Sequence, residues 1–207
     1  MDIICDKGSR AVSPATLTVH GVLMEICGLG VLIQGPSGIG KGELALELIS
    51  RGHRLIADDA PQISLSAPHS LSGTCPPLLR NLLEVRSLGV LNVAALFGEQ
   101  AVASSTPLQL IVTLETIIES EISERDIAGS MHTIRRLLDV DIPEIRLALR
   151  DRSRHPASRD ISTSLYVTGR PTALLVETLV KNFKLQQQGY FAHADLSKRQ
   201  RRVMDSS

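Results

Sequence analysis

The chain has 207 residues, its 22 Lys plus Arg balanced by 22 Asp plus Glu, and 43% of it is hydrophobic. That apolar share excludes a disordered chain, and zero formal net charge argues against a broadly basic binder of nucleic acid or membrane surfaces. Three Phe, two Tyr and no Trp are too few for a base-stacking platform or a sugar-binding aromatic cleft.

The length suits one domain that buries roughly 70% of its unfolded surface. Its core must come from Leu, Ile, Val and Ala. The start, MDIICDKGSR, lacks the basic and apolar regions of a signal peptide. The longest apolar stretch, Val19 to Ile33, is interrupted by His20, Glu25 and several Gly and is too short for a bilayer. The three cysteines, Cys5, Cys27 and Cys75, have no C-x-x-C spacing. A reducing, cytoplasmic setting is expected.

Residues 1 to 14 read as a loose or edge segment ending at Pro14. Leu17 to Glu25 reads as a strand followed by a turn. Gly30 to Gln34 (GVLIQ) is a short buried strand. Lys41 to Ser50 carries an apolar stripe, Leu44, Ala45, Leu48 and Ile49, which predicts an amphipathic helix. Gly52 stands where a helix stops. Arg54 to Ala57 (RLIA) returns as a strand, completing a β–α–β unit.

Residues 61 to 78, rich in Pro and Ser, predict a loop or a hairpin. Leu82 to Val93 and Leu108 to Leu114 have strand character. Thr133 to Leu138 is expected as a short helix, and the Arg-rich Arg150 to Asp160 as a solvated loop. Pro171 to Leu185 predicts a helix with a stripe of Leu174, Leu175, Thr178, Leu179, Asn182 and Phe183. The basic tail, with Lys198, Arg199, Arg201 and Arg202, continues as a helix.

Between the strand and the first helix lies Gly35, Pro36, Ser37, Gly38, Ile39, Gly40, Lys41 and Gly42. This matches G-x-x-x-x-G-K in the context that confirms it, a strand before and a helix after. The glycines let backbone N–H groups point inward, and the helix N-terminus favours an anion. Lys41 adds a mobile positive charge. Ser37 adds a hydroxyl near the phosphates, or only stabilises the turn. Gly42 replaces the Ser or Thr that normally binds magnesium, and a water could take that place.

Asp58 and Asp59 end the next strand, where ligands of open α/β sheets sit. One could hold magnesium or orient a nucleophile, or both could be turn residues. Adjacent strand residues point to opposite faces, so the two are expected to differ in role. Glu84 and Arg86 alternate on one strand face and could form a surface ion pair.

His20 to Asp59 and Cys75 to Val102, which contains LEVRSLGVLN, resemble the catalytic domain of bacterial HPr kinase/phosphorylase. ALLVETLVKNFKLQQQGY looks like that family's C-terminal helix. The resemblance spans about 20–115 and 165–203. It implies residues 1–19 as a short N-terminal segment and 20–207 as one catalytic domain, without the family's N-terminal domain. The fold implied is α/β, a P-loop kinase domain resembling the nucleotide-binding fold of phosphoenolpyruvate carboxykinase.

The activity implied is ATP- and magnesium-dependent phosphorylation of a serine of HPr, the phosphocarrier of the sugar phosphotransferase system. In reverse, phosphate attacks phosphoserine and releases pyrophosphate. By position, His20, Lys41, Asp59 and Arg125 match catalytic residues, with Asp59 as acid/base. Glu84 matches a magnesium ligand, which Asp58 would join. Gly169 and Arg170 match the end of the dephosphorylation loop. A homo-hexamer, with no nucleic-acid or membrane partner, is also implied.

Departures are Gly42, Ser87 where the family usually has Gly, and a long segment from about 146 to 164. They leave two alternatives open: a weakly active or non-catalytic nucleotide-binding regulator, or a small-molecule kinase on the same fold.

Overall fold

The computed structural model describes residues 16–117, 132–150, 167–168 and 173–205. Arg125, Gly169, Arg170, residues 1–14 and most of the Arg-rich 150–160 stretch lie outside them.

Twelve strands and four helices are described. In chain order come β1 (Thr16–Thr18), β2 (Val22–Ile26), β3 (Leu29–Gln34), α1 (Lys41–Ser50) and β4 (Arg54–Ala57). Next are β5 (Gln62–Ala67), β6 (Ser70–Thr74), β7 (Leu82–Val85), β8 (Gly89–Asn92) and α2 (Val93–Phe97). Then follow β9 (Ser105–Ile117), β10 (His132–Leu137), β11 (Val140–Arg150), β12 (Val167–Thr168), α3 (Ala173–Gln187) and α4 (Ala192–Asp205).

Ten strands form one sheet, with the path β1-β5-β6-β9-β3-β2-β4 and with β11, β10 and β12 joined through β9. β9 is the hub. It pairs parallel with β3 and β11 and antiparallel with β6. The expected β–α–β unit is present, but β2 is inserted antiparallel between its two strands, β3 and β4. Both β3 and β4 therefore run out at the same edge of the sheet.

The central strands are buried on both faces. Val22, Met24 and Ile26 of β2 join one core with Val31 and Ile33 of β3 and Leu110, Val112 and Leu114 of β9. Leu23, Leu32 and Ile111 join the other. Two buried faces explain why these strands read as continuous apolar runs rather than alternating ones.

α1 buries the predicted Leu44, Ala45, Leu48 and Ile49 against the first core. The 61–78 stretch contains the β5–β6 hairpin. The segment expected as one strand from Leu17 is two strands, with the turn at His20 and Gly21.

Two further expectations about the elements are corrected. Thr133 to Leu138 is not a helix: His132–Leu137 is a strand, paired antiparallel with β11. Its Thr, Ile and Arg residues gain more from β11's ladder than from a single exposed helical turn.

The stripe of α3 is borne out only in part: Phe183 is buried and Leu175 and Leu179 pack against the first core, but Leu174, Thr178 and Asn182 are exposed. Ala173, Val176, Glu177, Val180 and Phe183 are buried, whereas Leu174 is exposed. The reason is Glu177. Glu177 is 4% exposed, and its carboxylate accepts Arg51 Nε at 2.6 Å and Arg51 Nη2 at 2.7 Å. His53 Nδ1 accepts the Cys27 N–H at 3.4 Å, so its Nε2 carries the proton that meets Glu177 Oε1 at 2.8 Å. A paired Glu can thus face the core while a Leu faces water. Glu47 of α1 adds a second tie, accepting the Ala173 N–H at 3.1 Å.

The Arg51 hydrogen bonds, then those of His53, hold the Glu177 carboxyl at about 2, against the pull of burial. A carboxyl depressed in the folded state stabilises above its unfolded value and loses that stabilisation as pH falls. Glu177→Gln is expected to lose about 2 kcal/mol at neutral pH. The deficit should shrink as pH falls from about 4.5 to about 2, as measured by urea unfolding across that range.

Candidate active site

Local chain physics places a cleft at the carboxyl ends of β3 and β4. β3 ends at Gln34, and the glycine-rich loop turns with positive φ at Gly35, Gly38 and Gly40 (151°, 79° and 101°). Gly40 caps α1 without any side-chain hydrogen bond. The N–H groups of the first helical turn therefore have no side-chain cap competing for them, which suits an anion. Ile39 packs against the first core and anchors the loop from below.

A cavity of about 300 Å³ opens over this loop. It brings together His20, Ser37, Gly38, Gly40, Lys41, Gly42, Asp58, Asp59 and Glu84, all singled out in the sequence. Gly35 and Pro36 contribute differently: their carbonyls accept Lys41 Nζ at 2.8 Å and 3.1 Å. Burial pushes the Lys41 amine below its ordinary value, while Asp58 and Asp59 pull it back up.

Asp58 and Asp59 do not face opposite ways. β4 ends at Ala57, and the Ala60 N–H closes a three-residue turn onto the Asp58 carbonyl at 2.8 Å. Asp59 sits at its centre with φ 66°, a γ-turn of the rare, strained kind. The turn swings both carboxylates into the cleft.

The Asp58 carboxylate is a clamp. Its Oδ1 accepts the Asp59 N–H at 2.9 Å, and its Oδ2 accepts the Glu84 N–H at 2.8 Å. Burial nonetheless pushes its carboxyl up, with Asp59 and Glu84 adding to the shift. Asp59 Oδ1 receives His20 Nδ1 at 2.9 Å, and both side chains are exposed.

Glu84 comes from β7, which pairs only with β8 among the described strands. Leu83 and Val85 point into the core, so Glu84 points outward by the two-residue period of a strand. Ser87 lies in the hairpin turn and has no positive φ. Gly89 takes the left-handed position at 81°, so the turn has no need of Gly at position 87.

Arg86 is a site residue that sequence pattern misplaced. It forms no ion pair with Glu84 among the described residues. Instead it lines the cavity, with Nη1 2.9 Å from the place a Cβ would take on Gly38. Glu43 also lines the cavity. The signal available was the alternation Glu84, Arg86 on one face.

Gly42 has a steric role invisible in the sequence. A Cβ there would lie 2.2 Å from the Glu84 carbonyl oxygen. The backbone of β7 closes directly on the start of α1, and a side chain at 42 would hold it off.

No three His, Cys, Asp or Glu side chains among the described residues form a metal cage. Asp58 and Glu84 both line the cavity and are the carboxylates that could hold a magnesium ion, which commonly takes one or two carboxylates and fills its remaining positions with water and phosphate oxygens.

Fold and site together define a mixed α/β domain in which a phosphate-loop motif opens the first helix. The chain belongs to the family of the HPr serine kinase C-terminal domain, whose family model matches residues 12–158. It is 41% identical over 181 residues to the HPr kinase/phosphorylase of Nitrosomonas europaea, a match covering 87% of this chain and 50% of that protein. It is 46% identical over 160 residues to that of Xanthomonas campestris pv. campestris, covering 77% of this chain and 50% of that protein.

The solved structure of the Hpr(Ser) kinase/phosphatase from Coxiella burnetii superposes with a TM-score of 0.66 at 27% identity, covering 83% of this chain and 99% of that chain. The mixed α/β fold is therefore that of an HPr kinase/phosphatase. The chain spans about half the length of the curated relatives it matches. No described helix is long and apolar enough to cross a membrane.

Gly42→Ser supplies the hydroxyl that phosphate loops normally carry, but it forces β7 away. It is expected to cost about 1–3 kcal/mol by overpacking and to leave nucleotide affinity no better. Thermal unfolding and calorimetric titration of ATP with magnesium check both outcomes.

Proposed function

We propose that the chain is an ATP- and magnesium-dependent kinase of a seryl hydroxyl on HPr, able also to run phosphorolysis of phosphoserine. The carrying observation is the convergence of His20, Lys41, Asp58, Asp59 and Glu84 over one phosphate-loop motif in a chain of this family.

The loop N–H groups and the start of α1 would bind the nucleotide phosphates. Lys41, now held by two loop carbonyls, would move its charge to the β- and γ-phosphates. Arg86 overlies the same loop and adds a second cation. Magnesium held by Glu84 and Asp58 would neutralise charge on the phosphate oxygens.

Phosphoryl transfer depends mostly on positioning and charge stabilisation. Asp59 is the acceptor best placed to orient the seryl hydroxyl. Its hydrogen bond from His20 fixes one oxygen and leaves the other for the substrate. As the seryl oxygen bonds phosphorus, its proton passes to Asp59 and the bond to the β-phosphate oxygen breaks, leaving ADP. In reverse, phosphate attacks the phosphoserine phosphorus, the seryl oxygen takes the proton from Asp59, and pyrophosphate leaves.

A second reading, a nucleotide-binding regulator without turnover, is favoured by Gly42, which offers no hydroxyl to a metal. It differs in one outcome: ATP binds but no phosphoserine forms.

Incubation of the chain with ATP, magnesium and HPr, followed by mass spectrometry, is expected to show one phosphoseryl group. Asp59→Asn should lower kcat by about 10²–10⁴-fold. Arg86→Ala should raise the KM for ATP by about tenfold, as loss of a charge-assisted phosphate contact. Absence of phosphoserine at high enzyme concentration would overturn the kinase reading.

A further inference from the structure

Gln34 is the last residue of β3 and immediately precedes the phosphate-loop motif. Its Nε2 donates to the His20 carbonyl at 2.8 Å. Among the described residues it is the one side chain hydrogen-bonded to the His20 backbone. Its Oε1 accepts Arg135 Nη1 of β10. The amide is thereby fixed in orientation, because a guanidinium only donates and must face the oxygen.

Arg135 is itself held. Its Nε meets Glu144 Oε2 at 3.2 Å, its Nη2 meets Glu144 Oε1, and Nη2 reaches Thr113 Oγ1 at 3.5 Å. Glu144 of β11 is 2% exposed. It also accepts Thr113 Oγ1 at 2.6 Å and Thr133 Oγ1 at 3.3 Å. Although burial works against its charge, the Thr113 hydrogen bond and the Arg135 guanidinium hold its carboxyl below the ordinary range.

These contacts cross four strands, with a diagonal step from β9 to β11, where Glu144 pairs with Ile111 and Thr113 with Arg146. Thr113 of β9 pairs with Gln34, and Glu144 of β11 pairs with Thr133 of β10. Glu144 is the buried centre of this network and Gln34, Thr113 and Arg135 are half-buried; a buried carboxylate with hydrogen bonds on both oxygens is costly to leave half-made. Its far end is the turn whose imidazole meets Asp59.

We infer that Gln34 is a positioning residue for the His20–Asp59 pair, oriented by the Arg135–Glu144 ion pair of β10 and β11. Its kinetic arm rests on the phosphotransfer proposed above. Gln34 fixes the His20 backbone, and that backbone fixes where the imidazole meets the acid/base carboxylate.

The test uses the full chain with Gln34→Leu and the volume-conserving Gln34→Glu, each alone and combined with His20→Ala. Each single variant is expected to lower kcat about tenfold with the KM for ATP unchanged, the size of a modest misplacement. In the His20→Ala background neither should cause further loss, since the group they position is gone. Equal losses in both backgrounds, or no loss in either, would overturn the inference.

A second measurement does not need turnover. Nitrogen–proton correlation of the histidine rings, with His20 assigned through His20→Ala, is expected to shift or broaden the His20 signals in Gln34→Glu. The His53 signals should stay in place. Unchanged His20 signals would also overturn the inference, whether or not HPr is phosphorylated.

Discussion

Two hydrogen bonds to one carboxylate organise the cleft. Asp58 accepts the N–H of Asp59 and the N–H of Glu84, so one side chain joins the end of β4 to β7. The β7–β8 hairpin makes no strand pairing with the main sheet among the described strands. It is held by this clamp, by Leu83 and Val85 in the core and by the close approach of its backbone to Gly42. Without it, Glu84 and Arg86 would not face the phosphate-loop motif.

The clamp also explains its own cost. Burial raises the Asp58 carboxyl even though two backbone N–H groups favour its charge. A partly buried, partly satisfied carboxylate beside a partly buried lysine is a common arrangement at working sites. The strained turn at Asp59 belongs with it. Strain of this kind persists only where the surroundings over-determine it. Here the surroundings are the Asp58 carboxylate, the Ala60 N–H on the Asp58 carbonyl and the His20 imidazole.

Charge also links the helices and strands behind the cleft. Glu177 ties α3 to Arg51 and His53, just beyond the end of α1. Glu144 ties β10 and β11 to β9 through Thr113 and Arg135. Each is nearly inaccessible to water and each is fully paired, which is what allows a carboxylate inside at all. The chain's zero net charge is thus the sum of specific internal pairs and a solvated surface.

Local pattern was enough for elements whose signal is short-range. The phosphate-loop motif needed only the spacing of Gly35, Gly38, Gly40 and Lys41, and the stripe of α1 needed only the 3.6-residue period. His20 to Asp59 and Cys75 to Val102, with its LEVRSLGVLN block, also sufficed to point to the family whose model matches residues 12–158. Long-range contacts decided the rest. Thr133 to Leu138 became a strand because β11 was there to pair with it. The buried face of α3 was set by Glu177, whose partners lie 124 and 126 residues away. Gly42 reads as a missing ligand in the sequence, yet in the fold it is the gap through which the Glu84 carbonyl closes on α1. By itself the sequence determined which residues could touch phosphate, because that chemistry is carried by backbone freedom and charge at fixed spacing. Only the tertiary structure decided which of them face one another, because β4, β7 and the His20 turn meet through packing and hydrogen bonds that no local pattern records.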